Sequence, residues 1–299
     1  MQEELPLVSI VTPVFNMASF VEETIQSVLS QDYPRIEYIV MDGGSTDGTL
    51  DILSKYRDQA LIVSARDDGA ADAVNRGFTR SSGSIFAYLN ADDVYTPNAV
   101  STAVRSLLDN PDAGGVYGEA NWIQENGGVI GMYPTRPFDP ALLAKECFIC
   151  QPASFVRRAV FEQTGLLDAR LRYTFDYDFW IRLAKSSSMA GIAGVLACSR
   201  MHGSNKTLGH RREVFQETIH MLKGHFGYAP FSWVYAYACY LLDGRDQFFE
   251  PIEPSVAKLL LGLAMGLFYN AQHPLRYSKE WGAAISMAGL RRHLRRAGK

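Results

Sequence analysis

Four apolar runs, each followed by a polar turn, occur in the first third of the chain. They are rich in Val and Ile and span 7–12, 36–41, 60–64 and 84–89. Continuous apolar runs of this length predict strands of a sheet that is covered on both faces. Apolar residues recur at helical spacing between them, at 21–29, 50–56 and 70–79. This alternation predicts an α/β fold of parallel βαβ units with right-handed crossovers.

A sheet of this kind binds its ligands beyond the carboxyl ends of its strands. Four polar segments follow the predicted strands: Thr12–Asn16, Asp42–Asp47, Ala65–Gly69 and Asn90–Asp93. We therefore expect these four segments to meet in one crevice.

The pattern changes after about residue 112. A hairpin is predicted around Glu125-Asn126-Gly127-Gly128, with strands at 115–123 and 129–133. A strand at 153–156, a helix at 178–185 and a strand at 189–198 follow, and then helices at 210–226, 231–243, 255–271 and 284–297. The predicted organisation is an α/β domain over 1–207, with halves 5–112 and 113–207, and a helical C-terminal region over 208–299.

Charge is distributed unevenly along the chain. The protein has 299 residues, 47% of them hydrophobic and 20% charged, and a net charge of -3, which gives no reason to expect a nucleic-acid partner. From Val256 onward the sequence has eight basic residues and one acid, a net charge of +7. Residues 1–255 therefore have a net charge of -10. The C-terminal region therefore has its own electrostatic character.

The acidic start MQEELPLVSIVTP lacks the apolar core of a signal peptide, which predicts residence in the cytoplasm. The apolar run 259–269 has eleven residues, where a membrane-spanning helix needs about twenty. Together with the basic cluster Arg291–Arg296, it suits peripheral contact with the inner face of an anionic membrane. An intramolecular helical cap or a homo-oligomer interface with a solvated basic edge fits the same pattern.

The four cysteines are too sparse for a disulfide scaffold. Cys147, Cys150, Cys198 and His202 have a spacing that would supply four zinc ligands. Cysteine is also a common small buried residue, which is the more ordinary interpretation.

Two stretches place carboxylates directly after predicted strands. In YLNADDVY, Asp92 and Asp93 are adjacent, and they would repel each other unless a cation or ligand hydroxyls share their charge. Mg²⁺ or Mn²⁺ fits that need, whereas a turn or a helix cap is the structural alternative. Asp42 precedes a glycine-rich turn without the P-loop lysine or the GxGxxG spacing, and suits hydrogen bonding to a base or ribose.

Several motifs in sequence carry a family resemblance, which covers residues 5–207. They are VSIVTPVFN, YIVMDGGSTDGT, DDGAADAVNRG, GSIFAYLNADD, ICQPASFVRRAVFEQTGLLD, FDYDFWIRL and SRMHGSNKT. The chain resembles the inverting family 2 glycosyltransferases with the GT-A fold, of the bacterial surface-polysaccharide and O-antigen type. The resemblance implies a Rossmann-like, mostly parallel sheet flanked by helices.

The resemblance also implies roles for individual residues on the donor side. The nucleotide and donor sugar would be bound by Thr12, Pro13, Phe15, Asp42, Asp68, Asp72, Arg76, Asn90 and Asp92. Within that set, Thr12, Pro13 and Phe15 surround the base, and Asp92 faces the ribose or sugar. Asp93 would bind the Mn²⁺ or Mg²⁺ ion, with His202 completing the metal site. Asn90 stands where the family often has Asp, which leaves two acids in the metal motif.

The catalytic base implied by the resemblance is Asp176. Inverting transfer is a single displacement in which the acceptor hydroxyl must lose a proton. The usual preceding Glu is replaced by Phe175, which is expected to raise the pKa of Asp176 by desolvation. Helix capping by Asp176 or Asp178 is the structural alternative. Arg200 and Lys206 would neutralise the leaving diphosphate.

The predicted function is transfer of one sugar from a nucleotide diphosphate sugar, UDP-linked by default, to a glycan or a lipid-linked oligosaccharide. The sequence lacks a Q-x-x-R-W-type segment, which favours single addition over processive synthesis. A nucleotidyltransferase would need basic residues in the first strand-to-helix loop, where TPVFNMAS has none. A catalytically silent nucleotide-sugar-binding protein is the non-enzymatic alternative.

Overall fold

The computed structural model describes residues 5–203, 205–244 and 253–297, with side chains up to residue 286. The chain forms two compact units. The first runs up to Leu143 and continues from Cys147 to Asn205, and the second combines Ala144–Glu146 with the chain from Lys206. The predicted boundary lay after residue 207. The side chains of the basic cluster Arg291–Arg296 lie outside the described residues.

The first half of unit one is a parallel sheet with helical crossovers. Its elements are β1 (Val8–Val14), α1 (Val21–Leu29), β2 (Ile36–Asp42), α2 (Thr49–Ser54), β3 (Leu61–Ser64), α3 (Ala70–Arg80) and β4 (Ile85–Tyr88). The strand order is β3-β2-β1-β4, and all three pairings are parallel. The four strands and three helices predicted here are confirmed.

Strand β1 lies at the centre of this half and is buried along its whole length. Val8, Ile10 and Val14 pack into a core shared with α1. On the other face, a Cβ atom at Gly77 of α3 would lie 2.5 Å from Val11. Glycine at this position therefore allows α3 to approach β1 closely.

The second half extends the same sheet with antiparallel strands. Its elements are β5 (Val94–Tyr95), α4 (Ala99–Asp109), β6 (Gly115–Ile123), β7 (Val129–Met132), β8 (Ser154–Arg157), α5 (Arg158–Thr164), α6 (Phe175–Leu183) and β9 (Met189–Arg200). The order continues β4-β8-β6-β9-β5, and β7 pairs with β6. Strand β8 is antiparallel to both of its neighbours, whereas β9 is parallel to β6. The sheet is thus parallel in its first half and mixed in its second.

The hairpin of β6 and β7 and the strands β8 and β9 agree with the sequence prediction. Helix α6 begins at Phe175, three residues before its predicted start. Elements β5, α4 and α5 were not predicted.

The second unit is helical. It contains α7 (Lys206–Gly209), α8 (Arg211–Phe226), α9 (Phe231–Asp243), α10 (Val256–Tyr269) and α11 (Pro274–Ala297). Phe215, Tyr237 and Tyr277 belong to its apolar core. Helix α11 begins ten residues earlier than predicted, with Pro at its first position, where a missing N–H is tolerated. None of the helices in the described part of the chain is long and apolar enough to cross a membrane.

Candidate active site

The turns that follow the parallel strands are tied together by hydrogen bonds. After β1, the Asn16 N–H donates to Ser45 Oγ at 2.8 Å, and Asn16 Oδ1 accepts from the Thr46 N–H at 2.9 Å. The buried Asp42 carboxylate accepts from the N–H groups of Gly44 and Ser45 and from Ser64 Oγ at 2.7 Å. The turns after β1, β2 and β3 therefore meet at one edge of the sheet, as predicted.

The three residues predicted to surround a nucleotide base differ in exposure. Thr12 and Pro13 are buried within β1, and Thr12 Oγ1 lies 3.0 Å from the Tyr38 hydroxyl. Phe15, directly after the strand, is 57% exposed. Among these three, only Phe15 offers its side chain to a ligand.

The loop before α3 carries several charged side chains. Asp72 accepts from Arg76 Nη2 at 2.6 Å and from the Asp68 N–H at 3.1 Å. Asp67, which the sequence analysis missed, packs against the turn after β2, since a Cβ atom at Gly43 would lie 2.7 Å from its Oδ2. Burial, followed by the nearby charge of Asp72, raises the pKa of Asp67. Its position next to Asp68, after a strand, was the available sequence signal.

Asp93 is buried at the end of the turn after β4. Its Oδ1 accepts from the Arg200 N–H at 2.9 Å, and its Oδ2 accepts from Asn90 Nδ2 at 3.2 Å. Burial and the adjacent charge of Asp92 raise the pKa of Asp93 to about 8. Asp93 is 3% exposed, and both oxygens of its carboxyl group accept hydrogen bonds from protein donors. Asp93 therefore stabilises the turn in which it lies.

His202 lies beside Asp92, whereas the sequence analysis had paired it with Asp93. Its Nε2 is 3.0 Å from Asp92 Oδ2, and its ring packs at 4.7 Å from the ring of Phe20. The difference arises because the end of β9 directs the backbone N–H of Arg200 to Asp93, and the following turn brings His202 to Asp92. Asp92 and His202 are therefore the adjacent pair of potential metal ligands.

The structure does not form the zinc site that the cysteine spacing allowed. No group of three or more His, Cys, Asp or Glu side chains suited to a metal occurs among the residues that the structure describes. Cys147, Cys150 and Cys198 are free thiols.

Gln151 is a buried polar residue that the sequence analysis missed. Its Nε2 donates to the Tyr88 carbonyl at 2.6 Å, and its Oε1 accepts from Asn90 Nδ2 at 3.3 Å. The Asn90 amide thus donates to two acceptors, Asp93 and Gln151. A carboxylate at position 90 would face both acceptors without a proton to donate, which is a physical reason for Asn here.

The structure does not support the predicted contact of Arg200 with a diphosphate. The side chain is 1% exposed. Its guanidinium donates to the carbonyls of Asp92, Gln124 and Glu125, and to the Glu23 carboxylate at 2.6 Å. Arg200 therefore links α1, the β6–β7 turn and the turn after β4. Lys206, the other predicted diphosphate ligand, is the first residue of α7 in the second unit.

Asp176 and Asp178 lie in the first turn of α6 and have different partners. Asp178 is buried and pairs with Arg182 at 2.8 Å, and Arg182 also donates to the carbonyls of residues 164–166. Asp176 is half-buried, and its Oδ1 accepts from the Tyr177 N–H. The N-cap residue of α6 is Thr174, so neither acid occupies the capping position of the structural alternative.

The charges of Asp176 and Asp93 raise the pKa of the same two buried groups, Cys150 and Tyr88. Burial raises the pKa of the Cys150 thiol, and the charges of Asp93 and Asp176 raise it further. The pKa of Tyr88 is likewise raised by burial first, and then by Asp176 and Asp93 among its neighbours. The acid on α6 therefore lies within electrostatic range of the buried groups near the end of β4.

Comparison with known proteins identifies the family. Residues 9–165, more than half of the chain, match the model described as Glycosyl transferase family 2. The chain belongs to glycosyl transferase family 2. An uncharacterized glycosyltransferase from Rickettsia prowazekii is 33% identical over 210 residues, which cover 68% of this chain and 66% of that relative. The chain thus spans just under two thirds of that relative's length. A putative teichuronic acid biosynthesis glycosyltransferase, TuaG of Bacillus subtilis, is 29% identical over 76% of this chain and 95% of its own.

Solved structures show the same fold as this family 2 chain. S. aureus TarS, solved with UDP-GlcNAc, aligns with a TM-score of 0.62 and 13% identity, over 92% of this chain and 83% of its own. The mannosyltransferase PcManGT of Pyrobaculum calidifontis, solved with GDP-Man and Mn²⁺, aligns with a TM-score of 0.60 and 18% identity, over 96% and 81%. These likenesses confirm the predicted GT-A fold with a helical C-terminal region.

Replacing Asp93 by Asn is expected to reduce the pH dependence of stability in metal-free buffer. Folded Asp93 keeps its proton up to a pKa of about 8, whereas the unfolded chain loses it near the usual value of 3.8. The native state therefore binds more protons between these values, and the free energy of unfolding falls as pH rises through this range. Asp93→Asn removes that contribution, which urea unfolding at pH 5, 6.5 and 8 will measure.

The control for this experiment is Asp109→Asn, which changes an exposed acid at the end of α4. It should unfold with the pH dependence of the unaltered protein. If Asp93→Asn and Asp109→Asn give the same pH dependence, Asp93 is ionised in the folded state at neutral pH, contrary to the structure.

Proposed function

We propose that this family 2 chain transfers one sugar, with inversion, from a nucleoside diphosphate sugar to a hydroxyl of a glycan or lipid-linked oligosaccharide. The observation that carries the proposal is the position of Asp176, half-buried in the first turn of α6 and within electrostatic range of Cys150, whose pKa Asp93 also raises. Fold relatives solved with UDP-GlcNAc and with GDP-Man support a nucleotide-sugar donor. The name of TuaG supports a surface polysaccharide as the acceptor class.

The donor is proposed to lie across the carboxyl ends of β1 to β4. Phe15 is exposed there and offers a ring on which a nucleotide base can stack. The turn after β2, which the Asp42 carboxylate holds, lies next to the segment that carries Phe15, because the Asn16 N–H donates to Ser45 Oγ. Asp67, Asp68 and Asp72, in and after the loop before α3, border the same edge of the sheet. Their carboxylates would accept hydrogen bonds from the hydroxyl groups of a ribose or sugar.

Asp176 is proposed as the base. The acceptor oxygen forms a bond to the anomeric carbon as the bond from that carbon to the diphosphate oxygen breaks, and the electron pair leaves with the nucleoside diphosphate. Asp176 takes the acceptor proton in this step. Its neighbour Asp178 is unsuited to this role, because it is buried and paired with Arg182.

Asp92 and His202 are proposed to hold Mn²⁺ or Mg²⁺. A carboxylate oxygen and an imidazole nitrogen 3.0 Å apart fit the donor preferences of Mn²⁺, and two protein ligands suffice where substrate phosphates supply others. The ion would neutralise charge on the leaving diphosphate. Asp93, Asn90 and Gln151 then serve to fix the turn that carries Asp92.

Asp176→Asn is expected to lower kcat by about a thousandfold, within the range for loss of a general base. Binding of the donor and the unfolding temperature should remain unchanged, because the half-buried side chain keeps its shape. The measurement is release of nucleoside diphosphate with Mn²⁺ across UDP-, GDP- and dTDP-sugars, with thermal shift for binding.

The matched control is Asp178→Asn, which changes the acid two residues further along α6. It should lower the unfolding temperature, since it leaves the Arg182 guanidinium without its carboxylate. An Asp176→Asn variant with the activity of the unaltered protein would refute the proposed base.

His202→Ala is expected to raise the Mn²⁺ concentration for half-maximal thermal stabilisation by UDP at least about tenfold, because one of two protein ligands is lost. His220→Ala, which alters an exposed histidine on α8, is the control and should leave the titration unchanged. Identical Mn²⁺ titrations for His202→Ala and the unaltered protein would place the ion elsewhere.

A further inference from the structure

Helix α10 carries its charge inside and its apolar residues outside. Its one charged residue, Lys258, is buried and lies 2.7 Å from Asp243 of α9. Gly262 and Gly266 are also buried, against Tyr235 and Tyr277. This face therefore packs on its neighbours within the second unit.

The opposite face of α10 is entirely apolar. The exposed residues of the helix recur at helical spacing and are Val256, Ala257, Leu260, Ala264, Leu267 and Phe268. Val256 is 74% exposed and Phe268 is 79% exposed. A helix that faces water normally has polar residues on this side, and a contiguous apolar surface of this kind marks an interaction site. Leu275, at the start of α11, is also 78% exposed.

Charge indicates the partner. The exposed cations Arg276 and Lys279 follow on α11, and Lys223 of α8 lies 6.0 Å from the ring of Tyr269 at the end of α10. From Val256 onward the sequence has a net charge of +7, or +6 without the buried Lys258, which pairs with Asp243. Two copies of such a region would repel each other, whereas an anionic lipid surface attracts it.

We propose that the outer face of α10 lies in the interfacial layer of an anionic lipid bilayer. The helix has 14 residues, so it is about 21 Å long and too short to cross a bilayer core of about 30 Å. An apolar face flanked by cations is the pattern of helices that lie in the plane of the interface. This inference concerns the second unit and holds whichever donor or base the first unit uses.

The experiment is flotation of the full chain with vesicles of phosphatidylcholine alone or mixed with phosphatidylglycerol. The unaltered protein is expected to float with the mixed vesicles, and less so at high salt. Leu260→Ser with Phe268→Ser should weaken binding by about tenfold or more, because two side chains lose their apolar burial. Both residues are exposed, so circular dichroism and the unfolding temperature should not change.

The matched control changes two exposed apolar residues of β7, Val129→Ser with Met132→Ser, and should bind as the unaltered protein does. Sedimentation velocity on the same proteins tests the other occupant, a second copy. An unaltered protein that fails to float would overturn the proposal. So would a dimer that the α10 variant converts to a monomer while vesicle binding persists.

A different observation concerns Tyr88, the last residue of β4. Its hydroxyl is buried and has no hydrogen-bond partner among the described residues. Contacts with other segments hold the residue in place. Its backbone carbonyl accepts a hydrogen bond from the Gln151 side chain, and its ring lies 6.3 Å from the ring of Phe175. The charge of Asp176 is close enough to affect it. An unpaired buried hydroxyl costs about 1–3 kcal/mol, so that its position requires an explanation.

We infer that Tyr88 is a positioning residue, whose hydroxyl donates to the Asp176 carboxylate when substrates occupy the site. Tyr88, Tyr133, Cys147 and Cys150 all lie within electrostatic range of Asp176; Tyr88 and Cys150 are buried, and Tyr133 and Cys147 are half-buried. Tyr133 already donates to the Cys147 carbonyl. Tyr88 is thus the phenol in this group whose proton is uncommitted. The inference rests on the proposed role of Asp176.

Tyr88→Phe tests this role. The unfolding temperature is expected to stay the same or rise, because the hydroxyl has no partner to lose in the free protein. The kcat should fall about tenfold, the effect of one hydrogen bond to a charged group, with the donor KM unchanged. The acidic limb of the kcat–pH profile should move to higher pH, since the ionised base loses a donor.

Tyr95→Phe is the matched control. Its hydroxyl is also buried and unpartnered among the described residues, and the charged group that affects it is Asp93. It should leave the acidic limb in place. A Tyr88→Phe variant with an unshifted pH profile overturns the inference, whatever its kcat. Full activity in Asp176→Asn would instead overturn the proposed function on which it depends.

Discussion

The buried carboxylate of Asp93 is the constraint on which the active-site edge depends. It lies at the end of the turn after β4 and accepts a hydrogen bond from the backbone of Arg200 at the end of β9, so that it joins the parallel and mixed halves of the sheet. Burying such a group is unfavourable unless donors surround it. The Asn90 amide and the Arg200 backbone supply them, and the Arg200 side chain extends the connection to Glu23 of α1.

Two pairs of acids close in sequence show the same difference in environment between their members. Asp93 is enclosed by protein donors while Asp92 is more exposed and faces His202. Asp178 is buried and paired with Arg182, whereas Asp176 is half-buried. One acid of each pair is buried and held by protein groups, so it stabilises the local structure. The other acid of each pair, Asp92 or Asp176, is the more exposed of the two.

The second unit follows a different rule. Its core is aromatic, and Gly262 and Gly266 allow Tyr235 and Tyr277 to approach α10 closely. The apolar residues of α10 that this core does not use face outward. A helix with that distribution is stable in water only at the cost of exposed apolar surface, which a second surface would remove.

The sequence by itself determined the α/β class, the four parallel strands, the hairpin and the convergence of the turns after β1, β2 and β3. Hydrophobic period and polar turn residues are local properties, and parallel strands end at one edge of their sheet. It also identified the motif residues Asp42, Asp92, Asp93 and Asp176. Only the tertiary structure decided that His202 meets Asp92 and that Arg200 is a buried link. Only the fold likewise revealed Gln151 and Tyr88. These assignments depend on contacts between residues as many as 177 positions apart. Which neighbour a side chain meets at that separation is set by the register of β9 against β6 and β5, and no local pattern encodes it.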